Sequence, residues 1–180
     1  MEQVDVEPHR ARFEAIVPAL IEPLRRFLAR RTDPPTAEDV LSETLLVCWR
    51  RCGEIPDEPL PWAYAVARNC LANADRARRR QHRLIVRIFR YDLPREHTDH
   101  ADDSSSELTS ALARLPAVES ELLRLWAWEE LGPAEIAQVM GMTANAVSIR
   151  LHRARQKLRG MLRKPGGGAG HEESTEGRRQ

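Results

Sequence analysis

Along most of the chain apolar residues recur at intervals of three and four, the period of a helix with one buried face. The first such stretch lines up Phe13, Ile16, Val17, Leu20, Ile21, Leu24, Phe27 and Leu28. Pro18 and Pro23 fall inside it, and proline removes a backbone donor, so a kink or a broken start is expected. Thr32 to Thr36, with Pro34 and Pro35, reads as a turn. Thr36 is then the expected N-cap of a second helix buried through Val40, Leu41, Thr44, Leu45 and Cys48. Three prolines and three acids between Gly53 and Pro61 predict an exposed loop. Helix resumes near Trp62, where Ala63, Val66, Ala67, Cys70 and Ala74 make a narrow face of small residues that lets helices approach closely.

From Asp92 to Ser106 the chain is acidic and serine-bearing with little apolar content, the composition of a linker. The helical period returns at Leu108, Leu112 and Leu115, and Pro116 opens a helix through Leu122, Leu123 and Trp126. After Gly132 and Pro133, short helices are expected over Pro133 to Met140 and from Ala144 to about Leu162. The tail GGGAGHEESTEGRRQ lacks the apolar mass to fold. No alternating strand pattern and no internal repeat interrupts this reading. The prediction is an all-α chain of two small helical domains, residues 10–91 and 108–164, joined by an acidic flexible linker over 92–107 and followed by a disordered tail over 165–180.

Charge sharpens the picture. Of 28 basic residues only Lys157 and Lys164 are lysines, and the planar arginine fork suits bidentate contact with phosphates and base edges. The net charge of +1 conceals segregation. Arg68 to Arg90 holds eight arginines against Asp75; Tyr91 to Glu135 holds eleven acids against three arginines; Ala144 to Lys164 holds seven bases and no acid. Two basic blocks around an acidic one predict two separate surfaces for polyanions. Cys48, Cys52 and Cys70 are odd in number and belong to apolar helical faces, which predicts buried thiols in a reducing compartment rather than a disulfide framework or zinc site. No apolar run approaches the ~20 residues needed to cross a bilayer, and MEQVDVEPHR is too acidic for a signal peptide, so a cytoplasmic protein without membrane insertion is expected.

Three segments carry candidate chemistry. In PAEIAQVMGMTANAVSIRLHRAR, Ala137, Gly141 and Val147 stand where a helix-turn-helix needs a small residue at the helix contact, a left-handed turn and a buried aliphatic. Val147, Leu151, Ala154 and Leu158 form the buried stripe of its second helix, and Thr143 caps it. Asn145, Ser148, Ile149, His152, Arg153 and Arg155 are left outside for DNA in the major groove. A helical hairpin with a solvated arginine face explains the charge but neither Gly141 nor the absence of acids. In AEDVLSETLLVCWRR, about 100° per residue puts Asp39, Ser42, Glu43, Leu46 and Arg50 on one stripe opposite the buried one. Solvation accounts for the acids, whereas Leu46 among them suggests docking against a partner with a basic groove. In PWAYAVARNCLANADRARRR, Trp62 and Tyr64 beside Arg68 and Asn69 either stack on unpaired bases or fill a small core, ahead of the basic end Arg76, Arg79 and Arg80.

In this order the segments AEDVLSETLLVCWRR, PWAYAVARN and LPAVESELLRLWAWEELGPAEIAQVMGMTANAVSIRLHRARQKL resemble the extracytoplasmic-function sigma factors of the sigma-70 family, over about Phe13 to Arg163. The resemblance implies that Asp39 to Trp49, with Arg50, matches the family's polymerase-clamp helix, although Ser42 and Leu45 stand where Gln and Phe are common. It implies that the loop Gly53 to Leu60, with Glu54, Ile55, Pro56 and Asp57, captures a flipped base of the -10 promoter element, and that the helix from Trp62 through Arg80 contacts melted and duplex DNA. The helix from Ala144 would read the -35 element, with Arg150, Arg153 and Arg155 matching family arginines and Ser148 and Ile149 departing from the usual basic residue and serine. The implied partners are core RNA polymerase and promoter DNA, with an anti-sigma factor as a further candidate. Neither a cofactor nor catalysis is implied, and no phosphate-cradling loop or nucleophile and base arrangement is present to suggest an enzyme. The alternative is a helix-turn-helix regulator that binds an operator without polymerase.

Overall fold

The computed structural model describes residues 6–89 and 103–163. Over these the chain forms α1 (Val6–Ala29), α2 (Pro34–Arg50), a 3-10 turn (Cys52–Glu54), α3 (Pro59–Phe89), α4 (Asp103–Ala113), α5 (Ala117–Ala127), α6 (Pro133–Met140) and α7 (Ala144–Leu162). The predicted tail and the linker up to residue 102 lie outside the described residues.

Three local expectations are corrected. α1 continues through Pro18 and Pro23 instead of breaking there. The cap of α2 is Asp33, not Thr36: the Asp33 carboxylate accepts from the Thr36 backbone N–H at 3.0 Å and from its hydroxyl at 2.9 Å. Pro34 thereby takes the first helical position, where its missing N–H costs nothing. α4 begins at Asp103, inside the predicted linker, because Asp103 and the serines after it favour a helix start as much as a loop.

α1, α2 and α3 pack together, and α7 packs against α4, α5 and α6. Leu20, Leu24, Phe27 and Leu28 of α1 bury against Val40 and Leu41 of α2 and Ala63, Ala67 and Cys70 of α3. In the second group Leu112, Leu122, Leu125, Ile136, Val147, Leu151 and Ala154 are buried. These two groups belong to one continuous apolar cluster, since α6 packs against α3.

A polar seam closes the same junction. At the end of α1, Arg31 reaches Glu121 of α5 at 3.0 Å and Glu129 just after α5 at 3.0 Å, while Arg30 holds the other Glu129 oxygen at 3.1 Å. The Arg31 side chain is 5% exposed and that of Glu129 2%, so the pair is desolvated. The Arg31 guanidinium also donates to the Phe27 carbonyl at 2.8 Å and lies 3.6 Å above the Phe27 ring. Arg124 sits beside it with its Nε buried and without a hydrogen-bond partner. Burial holds the Arg124 pKa below its ordinary value, with Glu121 opposing the fall and Arg31 adding to it.

Candidate functional site

Between α6 and α7 the turn adopts the geometry its residues demand. Gly141 takes φ 65° and ψ 39°, a left-handed conformation that a Cβ disfavours, and its N–H bonds back to the Ala137 carbonyl. Met142 N–H reaches the same carbonyl at 3.0 Å. Thr143 then caps α7, its hydroxyl oxygen accepting from Ala146 N–H at 3.2 Å. At the other end of α6, the Glu135 carboxylate accepts from Gly132 N–H at 2.7 Å, which satisfies a donor that the helix start leaves open.

Val147, Leu151 and Ala154 anchor α7 in the core, and Leu158 is half-buried. Asn145, Ser148, Ile149, His152 and Arg153 are exposed along its outer side, Ile149 by 45%. The Ser148 hydroxyl donates to the Ala144 carbonyl at 3.0 Å, which leaves its lone pairs outward as acceptors. His152 and Gln156 join through side-chain nitrogens at 3.0 Å. Arg155 is half-buried, its guanidinium 4.4 Å from the ring centroid of Trp126 in α5. Among the described residues Lys157 is the one base of α7 held in an ion pair, with Glu119 at 2.8 Å. Arg150, Arg153 and Arg155 therefore keep their charge for an external anion.

On α2 the residues Asp39, Ser42, Glu43, Leu46 and Arg50 share one exposed side, with Leu46 45% exposed. Asp39 and Glu43 have no ion-pair partner among the described residues, whereas neighbouring Glu38 binds Arg25 at 3.2 Å. Trp49 departs from this stripe. It is half-buried, with the rings of His9 and Phe13 edge-on at 4.7 and 5.1 Å, and His9 Nε2 lies 2.7 Å from its carbonyl. Aromatic packing against α1 takes up the indole that the sequence placed on the docking surface.

The -10 candidates divide more sharply. Glu54 and Asp57 are exposed and Pro56 is half-buried, but the Ile55 side chain is 2% exposed and its carbonyl accepts from Arg12 at 2.6 Å. Ile55 is thus an anchor of the loop, not one of its contact residues. Arg51 donates to Glu54 at 3.0 Å, and this hydrogen bond holds the Glu54 carboxyl below its ordinary pKa. Trp62 is half-buried with the Arg51 guanidinium 5.5 Å from its ring. Tyr64 is 3% exposed, its ring 5.0 Å from that of Phe27, and burial pushes its pKa up to about 12. The core reading of Tyr64 prevails, because a position between Phe27 and the seam keeps the ring from any base while the helices are packed this way. Arg68 is half-buried, and Asn69, Arg76, Arg79 and Arg80 are exposed on α3. Arg78 is drawn off to Asp33 at 3.2 Å and Asp75 at 2.8 Å.

Cys48, Cys52 and Cys70 are all buried free thiols. Burial raises the Cys48 pKa to about 11 and that of Cys70 in the same direction, which suppresses the thiolate needed for nucleophilic attack or metal binding. Among the described residues no cluster of His, Cys, Asp and Glu fits a metal ion, and no helix is long and apolar enough to cross a membrane. Sequence reasoning gave Trp126 no functional role, only a place in the helix that Pro116 opens; the structure leaves it 39% exposed beneath Arg155.

Residues 105–158 match the model of the family Sigma-70, region 4, a span that contains α5, α6, the turn after α6 and α7 as far as Leu158. The ECF RNA polymerase sigma factor SigL of Mycobacterium tuberculosis is 29% identical over 150 residues, covering 79% of this chain and 84% of SigL. RNA polymerase sigma-E factor of Streptomyces coelicolor is 29% identical over 144 residues, 78% of each chain. In fold, the chain is similar to the sigma factor RpoE solved in complex with the anti-sigma factor NepR from Bartonella quintana, with a TM-score of 0.63 at 20% identity over 84% of this chain and 96% of that one. It is also similar to CnrH solved with the cytosolic domain of CnrY, with a TM-score of 0.54 at 23% identity over 86% and 88%. A left-handed glycine turn, an acid-free α7 whose arginines form no ion pair among the described residues and these likenesses converge: residues 105–158 match sigma-70 region 4, and most of the chain is similar to extracytoplasmic-function sigma factors.

Proposed function

We propose that the protein binds core RNA polymerase in the cytoplasm and directs it to promoters, contributing binding and no catalysis of its own. The observation that carries this reading is α7, a capped helix with four arginines in no ion pair among the described residues and an exposed row of Asn145, Ser148, Ile149 and His152, joined to α6 by the left-handed Gly141 turn of a helix-turn-helix. In this reading α7 contacts the -35 element. Ser148, with outward acceptors, fits a base-edge donor, and Ile149 fits a thymine methyl. Arg150, Arg153 and Arg155 neutralise backbone phosphates.

Asp39, Ser42, Glu43, Leu46 and Arg50 on α2 form the surface for core polymerase, two acids without an ion pair among the described residues and an exposed leucine that suit a groove with basic walls and an apolar floor. The loop bearing Glu54, Pro56 and Asp57 and the exposed Asn69, Arg76, Arg79 and Arg80 of α3 face the -10 side. An anti-sigma protein is a further partner in this reading. In vitro transcription with sigma-free core polymerase tests it. Addition of the protein should give transcripts with defined 5′ ends from a promoter library, and no promoter-specific transcript would refute it. An operator-binding regulator would instead bind specific duplex DNA stably with no polymerase present, and it leaves the α2 stripe unexplained.

A further inference from the structure

Trp126 lies in the last turn of α5, where Leu122 and Leu125 carry the buried face and Trp126 itself is 39% exposed. The Arg155 guanidinium sits over its ring at 4.4 Å. The other tryptophan after α5, Trp128, also carries guanidinium groups, those of Arg30 at 5.7 Å and Arg124 at 5.6 Å, but it belongs to the seam with α1. Trp126 and Arg155 stand instead on an open groove of about 440 Å³, walled by Glu130, the Gly132–Pro133 turn, Ser148 and His152. The exposed indole thus carries a cation with no ion-pair partner among the described residues, on the same groove as two residues of the outer row of α7.

Stacking engages the face of a guanidinium and leaves its N–H donors free in the plane, where they can fork onto phosphate oxygens. A guanidinium already resting on a ring also loses less rotamer freedom when it binds an anion than one that swings in solvent. We propose that Trp126 is a positioning residue for DNA: its ring holds Arg155 at the edge of the groove so that Arg155 meets a backbone phosphate of the duplex read by α7. The inference rests on the reading of α7 as a DNA-contacting helix. It adds a residue from outside the helix-turn-helix, one whose exposure a purely structural role does not require.

The full-length protein is titrated with a short fluorescein-labelled duplex of random sequence, and anisotropy is followed across a KCl series. Trp126→Leu keeps apolar bulk without a ring; Trp126→Phe keeps a ring. Arg155→Ala and Trp126→Leu should each weaken binding several-fold and lower the slope of log affinity against log salt by about one unit, one phosphate contact. The double variant should fall no further, and Trp126→Phe should recover most of the slope. A slope lowered by Arg155→Ala but untouched by Trp126→Leu would overturn the positioning role. So would weaker binding by Trp126→Leu at an unchanged slope with a lowered melting temperature, which marks a structural tryptophan. If Arg155→Ala leaves the slope unchanged while Arg153→Ala lowers it, Arg155 is no phosphate ligand and the inference fails with the reading of α7 intact. If neither alanine variant changes the slope, that reading fails as well.

Discussion

Replacing Arg31 by methionine should loosen the junction between α1–α3 and α4–α7, and the cost follows from what Arg31 holds. Its side chain, 5% exposed, bonds Glu121 and Glu129 at 3.0 Å each and the Phe27 carbonyl at 2.8 Å. Removing one member of a desolvated pair leaves an uncompensated charge and costs about 3–5 kcal/mol. Two features lower that figure here. Glu129 keeps Arg30 at 3.1 Å, and Arg124 is relieved of a neighbouring positive charge. The expected loss is therefore about 2–3 kcal/mol, read as a lower urea midpoint by far-UV circular dichroism at unchanged m-value. Trp128 reports on the seam itself, since Arg30 stacks on it at 5.7 Å. Tryptophan fluorescence, to which Trp128 contributes, should show the same lowered midpoint as the helix signal. Adding Glu121→Gln and Glu129→Gln to Arg31→Met should recover part of the loss, as removing all charges of a buried set is far milder than removing one. A loss below about 1 kcal/mol for Arg31→Met alone would show that water screens the seam like a surface pair, and would refute the argument.

Reversing charge on α2 with Asp39→Arg and Glu43→Arg should weaken core-polymerase binding with helix content intact, since both side chains are exposed and unpaired among the described residues; unchanged affinity would make the stripe mere solvated surface. Gly141→Ala should cost about 1–2 kcal/mol from backbone strain alone, because φ is 65° and no atom lies within 4 Å of an added Cβ. A thermal midpoint equal to that of the parent would show that the turn relaxes freely. Asp33 is held below its ordinary pKa chiefly by the Thr36 backbone and hydroxyl bonds, so its contribution is present above the unfolded value near about 4 and lost as pH falls through the lower folded value. The stability difference between the parent and Asp33→Ala should be steady at neutral pH and shrink in acid; thermal melts at neutral and strongly acidic pH measure it, and a difference that widens in acid would contradict the sign.

Much of the molecule was legible in residue spacing because helices and their caps are local. Val147, Leu151 and Ala154 identify the buried side of α7 by period alone, and Gly141 and Thr143 mark the turn and the cap by their own chemistry. The same geometry brought Asp39, Ser42, Glu43, Leu46 and Arg50 onto one exposed side of α2. Where two residues offered the same local chemistry, the reading slipped: Asp33 and Thr36 are both good caps, and Pro34 at the first helical position decides between them.

What period cannot tell is which apolar or charged side chain finds a partner far along the chain. Tyr64 and Trp62 are neighbours in one aromatic-led helix, yet packing on Phe27 buries Tyr64 while Trp62 is only half-buried. Ile55 reads as loop and is an anchor, since Arg12 of α1 holds its carbonyl from 43 residues away. Arg31 reads as one more surface arginine until folding brings Glu121 and Glu129 to it across 90 and 98 positions, and the Trp126 indole meets Arg155 only through the crossing of α5 and α7. The sequence by itself determined where the helices lie, how α7 is capped and which side of α2 stays open, because these depend on neighbours within a turn or two. Tertiary structure alone decided which arginines are spent within the molecule and which remain for a partner, because desolvation and ion pairing depend on surroundings that distant segments supply.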